Sequence, residues 1–219
     1  MPIKAIGFDF DGTLIESEEE KMQEMAEMFR KKFGVHKGFH NAYIEIRKIA
    51  LNRKQKIKKI FQNLLQREPT GKELKLLQDH FGKHYQRRLQ TCPLFQCHQL
   101  VKELRKQVKF LFLLSLEEKK EVQQVARHCG IAQYFDEILG GPKGKVEHLL
   151  HIVKKHHLKP SEVMYVGDSH SDVAASKKAG IKVILVGKKR TYEQLKDDLQ
   201  ADFVLSNLCD VQKKIDGIQ

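Results

Sequence analysis

The chain has 219 residues, 41% hydrophobic and 31% charged, which describes a soluble globular protein of one large domain or one domain with an insert. The longest apolar run, residues 110–114, is far too short to span a bilayer, so no membrane association is expected. A net charge of +12 raises a polyanionic partner, but no helix-turn-helix, zinc-finger or aromatic nucleic-acid signature accompanies it; nucleic acid is not favoured, and a solvated basic surface is expected.

The first strand is expected over residues 3–9, which leaves no room for a signal peptide. Cys92, Cys97, Cys129 and Cys209 show no paired zinc spacing and are expected to be free thiols in a reducing compartment. Together these give a cytoplasmic expectation.

Ser17-Glu18-Glu19-Glu20 has the form of a capping box, with Ser17 as N-cap. The helix after it carries Met22, Met25, Met28 and Phe29 at helical spacing, a core stripe. From there to about Thr91 the pattern is helical and strongly basic. Tyr43, Ile44, Ile46, Ile49 and Ala50 are expected to form one apolar face, and Ile57, Ile60, Phe61, Leu64 and Leu65 another. Thr70 is the expected N-cap of a helix over 72–89. Arg47, Lys48, Arg53, Lys54, Lys56, Lys58 and Lys59 are expected to form the solvated face of an amphipathic helix.

After Pro93 the pattern alternates. Helices are expected over 96–106, 117–128, 145–157, 172–179, 191–199 and 208–215, and strands over 108–114, 137–139, 163–166, 182–186 and 203–205. Strands alternating with helices predict a parallel sheet covered on both faces. His148, His151, His156 and His157 are expected on an exposed helix face.

Chemistry concentrates where strands end. Phe8-Asp9-Phe10-Asp11-Gly12-Thr13-Leu14 closes the first strand. Residues i and i+2 of an extended segment point to one face, so Asp9 and Asp11 converge at the sheet edge where α/β proteins bind ligands. Two carboxylates so close ask for a cation, and all-oxygen ligands suggest magnesium. The string Asp-x-Asp-Gly-Thr-Leu/Val arises by chance in about one chain per thousand or fewer of this length. Ser115 ends the next strand and could hold a phosphate oxygen; with Glu118 it also fits a helix N-cap. Lys145 opens a helix, where an ammonium opposes the dipole and wants an anion; Lys143 competes for that place. Asp168 and Asp172 follow another strand, and their i, i+4 spacing sets both on one face.

In this order the residues resemble the motifs of the haloacid dehalogenase-like superfamily, in its phosphoglycolate-phosphatase-like branch. Asp9-Phe10-Asp11-Gly12-Thr13-Leu14 resembles the first motif, Ser115 the second, Lys145 the third, and Gly167-Asp168-Ser169 with Asp172 the fourth. The chain departs from the pattern at Leu116, at Pro93-Leu94 and in lacking Lys-Pro at the third motif. The resemblance implies a Rossmann-like α/β core of residues 1–16 and 91–219 with an all-helical cap of residues 17–90. It further implies magnesium held by Asp9, Asp11 and Asp168, catalysis by Asp9, Asp11 and Lys145, phosphate binding by Ser115 and Lys145, and support from Asp172. The activity it implies is hydrolysis of a small phosphorylated metabolite through an aspartyl-phosphate. A phosphoryl mutase and a non-catalytic binding protein of the same fold stand as alternatives.

Overall fold

The computed structural model describes residues 2–218 other than 48, 50, 92–93, 96–97 and 188–199. The helix expected over 191–199 lies outside the described residues, as do Lys48 and Ala50. Among the described residues, six strands form one parallel sheet: β1 (Ala5–Asp9), β2 (Phe110–Glu118), β3 (Glu137–Gly141), β4 (Val163–Gly167), β5 (Lys182–Val186) and β6 (Phe203–Leu205), in the order β3-β2-β1-β4-β5-β6. The chain order reverses direction at β1, so the carboxyl ends of β1 and β4 flank the crevice where such sheets bind ligands.

Alternation along β1 explains its place. Ile6 and Phe8 enter one apolar layer with Leu111, Leu113, Met164 and Val166. Ala5 enters the layer on the other face with Phe112, Leu114 and Tyr165. The first layer is closed by α5 (Leu100–Gln107), α6 (Lys119–His128) and α9 (Asp210–Asp216); the second is closed by α7 (Lys145–Lys155) and α8 (His170–Ala179). Covering both faces is what lets every residue of β1 be apolar until Asp9.

Between β1 and β2 stand α1 (Glu18–Phe33), α2 (Phe39–Arg47), α3 (Arg53–Leu65) and α4 (Gly71–Thr91). They have a core of their own, where Met25, Met28 and Phe29 meet Phe39, Tyr43, Ile57, Phe61 and Leu77. Thr70 and Glu73 form the reciprocal bonds of a capping box before α4, with Thr70 N–H donating to Glu73 Oε2 at 2.8 Å and Glu73 N–H to Thr70 Oγ1 at 3.3 Å. Asn52 does the same for α3, through Gln55. No helix among the described residues is long and apolar enough to cross a membrane.

Several local expectations are corrected. Ser17 precedes α1 but makes no side-chain cap bond; its hydroxyl donates instead to Asp11 Oδ1 at 2.6 Å. A buried carboxylate needs donors more than a helix end near solvent does. Strand β2 runs through Ser115 to Glu118, and α6 starts at Lys119, so Ser115 is not a helix cap. Helix α5 starts at Leu100 rather than at 96. Tyr43 and Ile46 are buried, whereas Ile44 and Ile49 are exposed: Ile44 lies off the Phe39, Tyr43 and Ile46 face of α2, and Ile49 lies beyond its end at Arg47. His148 is buried rather than exposed, and its Nε2 bonds the Gly140 carbonyl at 3.1 Å. Cys129 and Cys209 are each disulfide-bonded, so cysteine usage does not argue for a reducing compartment; spacing in sequence carries no information on which thiols fold together.

Gly7 packs directly beneath an aromatic ring: a Cβ there would lie 2.2 Å from Cζ of Phe112. Gly7→Ala is expected to lower stability by about 1–3 kcal/mol through overpacking, read as a shifted urea midpoint at unchanged slope.

Candidate active site

The site is built on the turn after β1. Gly12 adopts φ +84°, a left-handed conformation that suits glycine, and a Cβ there would lie 2.3 Å from Asp168 Oδ2. The turn therefore presses its backbone against the Asp168 carboxylate. At the end of β4, Gly167 allows the same approach by Asp172, whose Cγ would lie 2.4 Å from an added Cβ.

Asp9, at the carboxyl end of β1, points to Lys145, with Oδ1 2.9 Å from Nζ. Lys145 opens α7 and also donates to Asp172 Oδ1. Asp172 is held in turn by the backbone N–H and hydroxyl of Ser169, the capping box of α8. Lys145 is 4% exposed, whereas Lys143 faces solvent and pairs with Glu147 at 3.2 Å. The alternative between the two lysines thus has a clear geometry: only Lys145 reaches Asp9. Asp172 and Asp9 raise the Lys145 ammonium above its ordinary value although burial opposes them. Burial pushes the Asp9 carboxyl well above its ordinary value; Lys145 pulls it down, while Asp172 and Asp168 push it further up.

Asp11 faces the same cavity from another side. Its Oδ1 accepts from Ser17 Oγ at 2.6 Å and lies 3.5 Å from Lys21 Nζ; its Oδ2 accepts from Ser115 Oγ at 3.4 Å. Ser115 is fixed by the Glu117 N–H, which donates to its Oγ at 3.1 Å. Asp9, Asp11, Ser115, Lys145 and Asp168 all line one polar cavity, together with Lys21, Arg47, Lys56, Leu116, Glu117, Ser169 and Ser171. Every strand-end residue singled out in the sequence therefore lines this space or, like Asp172, supports a residue that does.

Carboxylate oxygens of Asp9, Asp168 and Asp172 lie within 4.8 Å of one another. The donors are all hard oxygens, and Asp9 is crowded by its acidic neighbours; a divalent cation would relieve that crowding, and magnesium fits the donor chemistry. Each of the three already meets a protein cation: Lys145 pairs with Asp9 and Asp172, and Arg47 with Asp168.

The sequence did not reveal the charges around this acidic centre. Arg47, at the end of α2, donates from Nη2 to Asp168 Oδ2 at 2.9 Å. Arg53, at the start of α3, donates from Nε to Glu117 Oε2 at 2.5 Å, and its outer nitrogens reach Glu121. Lys21 joins Glu117 at 2.6 Å. The expected solvated basic face is thus corrected at Arg47 and Arg53, which turn inward, and at Lys56, which lines the cavity, while Lys54, Lys58 and Lys59 are exposed. Burial pushes the Glu117 carboxyl up, but Lys21, Arg53 and Lys56 outweigh it and hold the group well below its ordinary value. These pairs join residues 64 and 121 positions apart, so no local pattern announces them.

A family model described as haloacid dehalogenase-like hydrolase matches residues 6–186. The phosphoglycolate phosphatase of Vibrio vulnificus is 36% identical over 85 residues, covering 36% of this chain and 37% of that protein, so the chain spans little more than a third of the relative's length. A crystal structure of a predicted phosphoglycolate phosphatase from Haemophilus somnus superposes with TM-score 0.73 at 22% identity, covering 97% of both chains. The putative hydrolase YfnB from Bacillus subtilis, solved bound to magnesium, gives TM-score 0.73 at 13% identity, covering 99% of this chain and 100% of that one. At these identities the structural likeness is one of fold.

Two outcomes follow from the charges. Lys145→Ala leaves Asp9 and Asp172 buried without their shared ammonium and is expected to lower stability by about 3–5 kcal/mol, measured by urea denaturation at neutral pH; a loss near zero would sink the reading of Lys145 as the centre's tie. Because the folded chain holds Glu117 below its ordinary value of 4.5, the unfolded chain binds the proton first on acidification. The stability from Glu117 is therefore complete above that value and lost as pH falls below it. The urea midpoint should fall below about pH 4.5, and Glu117→Gln should flatten that decline.

Proposed function

The chain belongs to the haloacid dehalogenase-like hydrolases, and on that premise we propose that it is a magnesium-dependent phosphatase of small phosphate monoesters. The observation that carries this reading is the convergence of Asp9 and Asp11 on one cavity with Ser115, Lys145 and Asp168. Such a set supplies a nucleophile, a proton donor, phosphate ligands and a cation site together.

In the proposed reaction an Asp9 carboxylate oxygen attacks phosphorus, and the bond to the ester oxygen breaks to leave an aspartyl-phosphate. Asp11 gives its proton to the departing oxygen. It then takes a proton from the water that attacks the aspartyl-phosphate, which releases inorganic phosphate and restores Asp9. Ser17, Lys21 and Ser115 fix the Asp11 carboxylate in place, so its proton travels along one direction. Lys145 touches Asp9 and would stabilise charge on the transferring group; Asp172 holds Lys145 there. Ser115 would turn its hydroxyl from Asp11 to a phosphate oxygen. Asp9, Asp168 and the main-chain carbonyl of Asp11 would hold magnesium, which supplies positive charge against that of the phosphate. Helices within residues 17–90 would act as the cap domain that excludes water and selects the substrate, over a core of residues 1–16 and 91–219. The names of the relatives, phosphoglycolate phosphatases among them, support a small phosphorylated metabolite as substrate.

Para-nitrophenyl phosphate with magnesium should be turned over by the purified protein, with activity lost in EDTA and reduced by about a thousandfold or more in Asp9→Asn, as for removal of a nucleophile. Full activity in Asp9→Asn would exclude the aspartyl-phosphate route.

A further inference from the structure

Glu117 stands two residues past Ser115 on the extension of β2, and it is 7% exposed. One carboxylate oxygen faces Lys21 at 2.6 Å and the other faces Arg53 Nε at 2.5 Å. Arg53 also meets Glu121, with Nη1 to Oε1 at 3.2 Å. Lys21 in turn lies 3.5 Å from Asp11. Glu117 is therefore one ammonium away from the group that must face the leaving oxygen, and it lines the same cavity. Lys21 and Arg53, which would otherwise make this end an anion receptor, are each engaged by a carboxylate of the core; of the other cations lining the cavity, Arg47 is engaged by Asp168 and Lys56 faces the field of Glu117.

We propose that Glu117 sets the substrate class of this site, favouring phosphate monoesters whose leaving group is uncharged or cationic over those that carry a second anionic group. The proposal rests on the phosphatase reading above. A second phosphate or carboxylate entering at this end would have to approach a buried ionised carboxylate or strip Lys21 and Arg53 from it. Like charges brought together out of water repel strongly. A hydroxyl or ammonium would instead donate to Glu117 and leave both ion pairs intact. Leu116 lines the same cavity and adds an apolar wall that offers a second anion no donor from its side chain.

The test uses esters of matched length that differ at one end: 2-hydroxyethyl phosphate, 2-aminoethyl phosphate and phosphoglycolate. With magnesium, the wild-type protein should show kcat/KM for the first two above that for phosphoglycolate by about tenfold or more. Glu117→Gln keeps the shape and one accepting oxygen but removes the charge, and it should bring the ratio near unity, mainly through KM. A purely structural role would lower all three rates together and leave the ratio unmoved. A wild-type preference for phosphoglycolate, or a ratio unchanged in Glu117→Gln, overturns the proposal. Calorimetric binding of the same esters to Asp9→Asn, with Glu117 intact and then replaced, reads the discrimination without turnover. Absence of turnover of every ester would therefore count against the phosphatase reading alone, and the affinities would still decide the role of Glu117. If Glu117→Gln does not fold, the wild-type ratio and the Asp9→Asn affinities still decide: a preference for phosphoglycolate in either overturns the proposal.

Discussion

One buried ammonium organises the centre. Lys145 sits between Asp9 and Asp172 and so joins the end of β1 to the starts of α7 and α8. Each partner alone would be unfavourable: carboxylates removed from water need a countercharge, and a lysine at a helix N-terminus opposes the helix dipole. Together they satisfy one another. The parallel sheet allows this meeting, because Asp9, Lys145 and Asp172 end or follow β1, β3 and β4, whose carboxyl ends share one edge. Asp9, Asp11, Lys145 and Asp168 line one polar cavity.

A second set of charges spans the two halves of the chain. Arg47 and Arg53 come from the helical segment, while Asp168, Glu117 and Glu121 come from the α/β core. Asn52 adds a bond from its side chain to the Pro142 carbonyl at 3.4 Å. These contacts cluster around the junction of α2 and α3, and Arg47, Glu117 and Asp168 among them line the cavity. The basic character of this stretch is thus divided: part is solvated surface, and part is countercharge for carboxylates that the core could not bury by itself.

How much of this was legible in the sequence depends on range. The strands were readable because apolar runs such as Phe110 to Leu114 and Val163 to Val166 lie between turn residues, and their positions match within a few residues. The acidic residues at strand ends were readable because strand geometry alone sets Asp9 and Asp11 near each other. What failed were local readings that a distant partner overrode. Ser17 had the local form of a cap, but Asp11 captured its hydroxyl. Ser115 looked like the end of a strand and the start of a helix; contacts from Lys21 and Arg53 to Glu117 accompany a strand that continues to Glu118. Arg53 carried the same local signature as its exposed neighbours Lys54 and Lys58. Cysteine spacing gave no hint of the bonds at Cys129 and Cys209. Periodicity reports which side of an element is buried; it does not report what waits on that side.

The backbone glycines at 12 and 167 give this arrangement an evolutionary consequence. Each lies where a single added methyl would strike a carboxylate, of Asp168 in one case and Asp172 in the other. Neither glycine can drift on its own, since the smallest available replacement collides with a residue of the acidic centre. Each glycine and its facing aspartate therefore form a unit of inheritance: a lineage that relinquishes one is released from keeping the other, and paired loss at these positions would mark descendants that retain the fold after abandoning its chemistry.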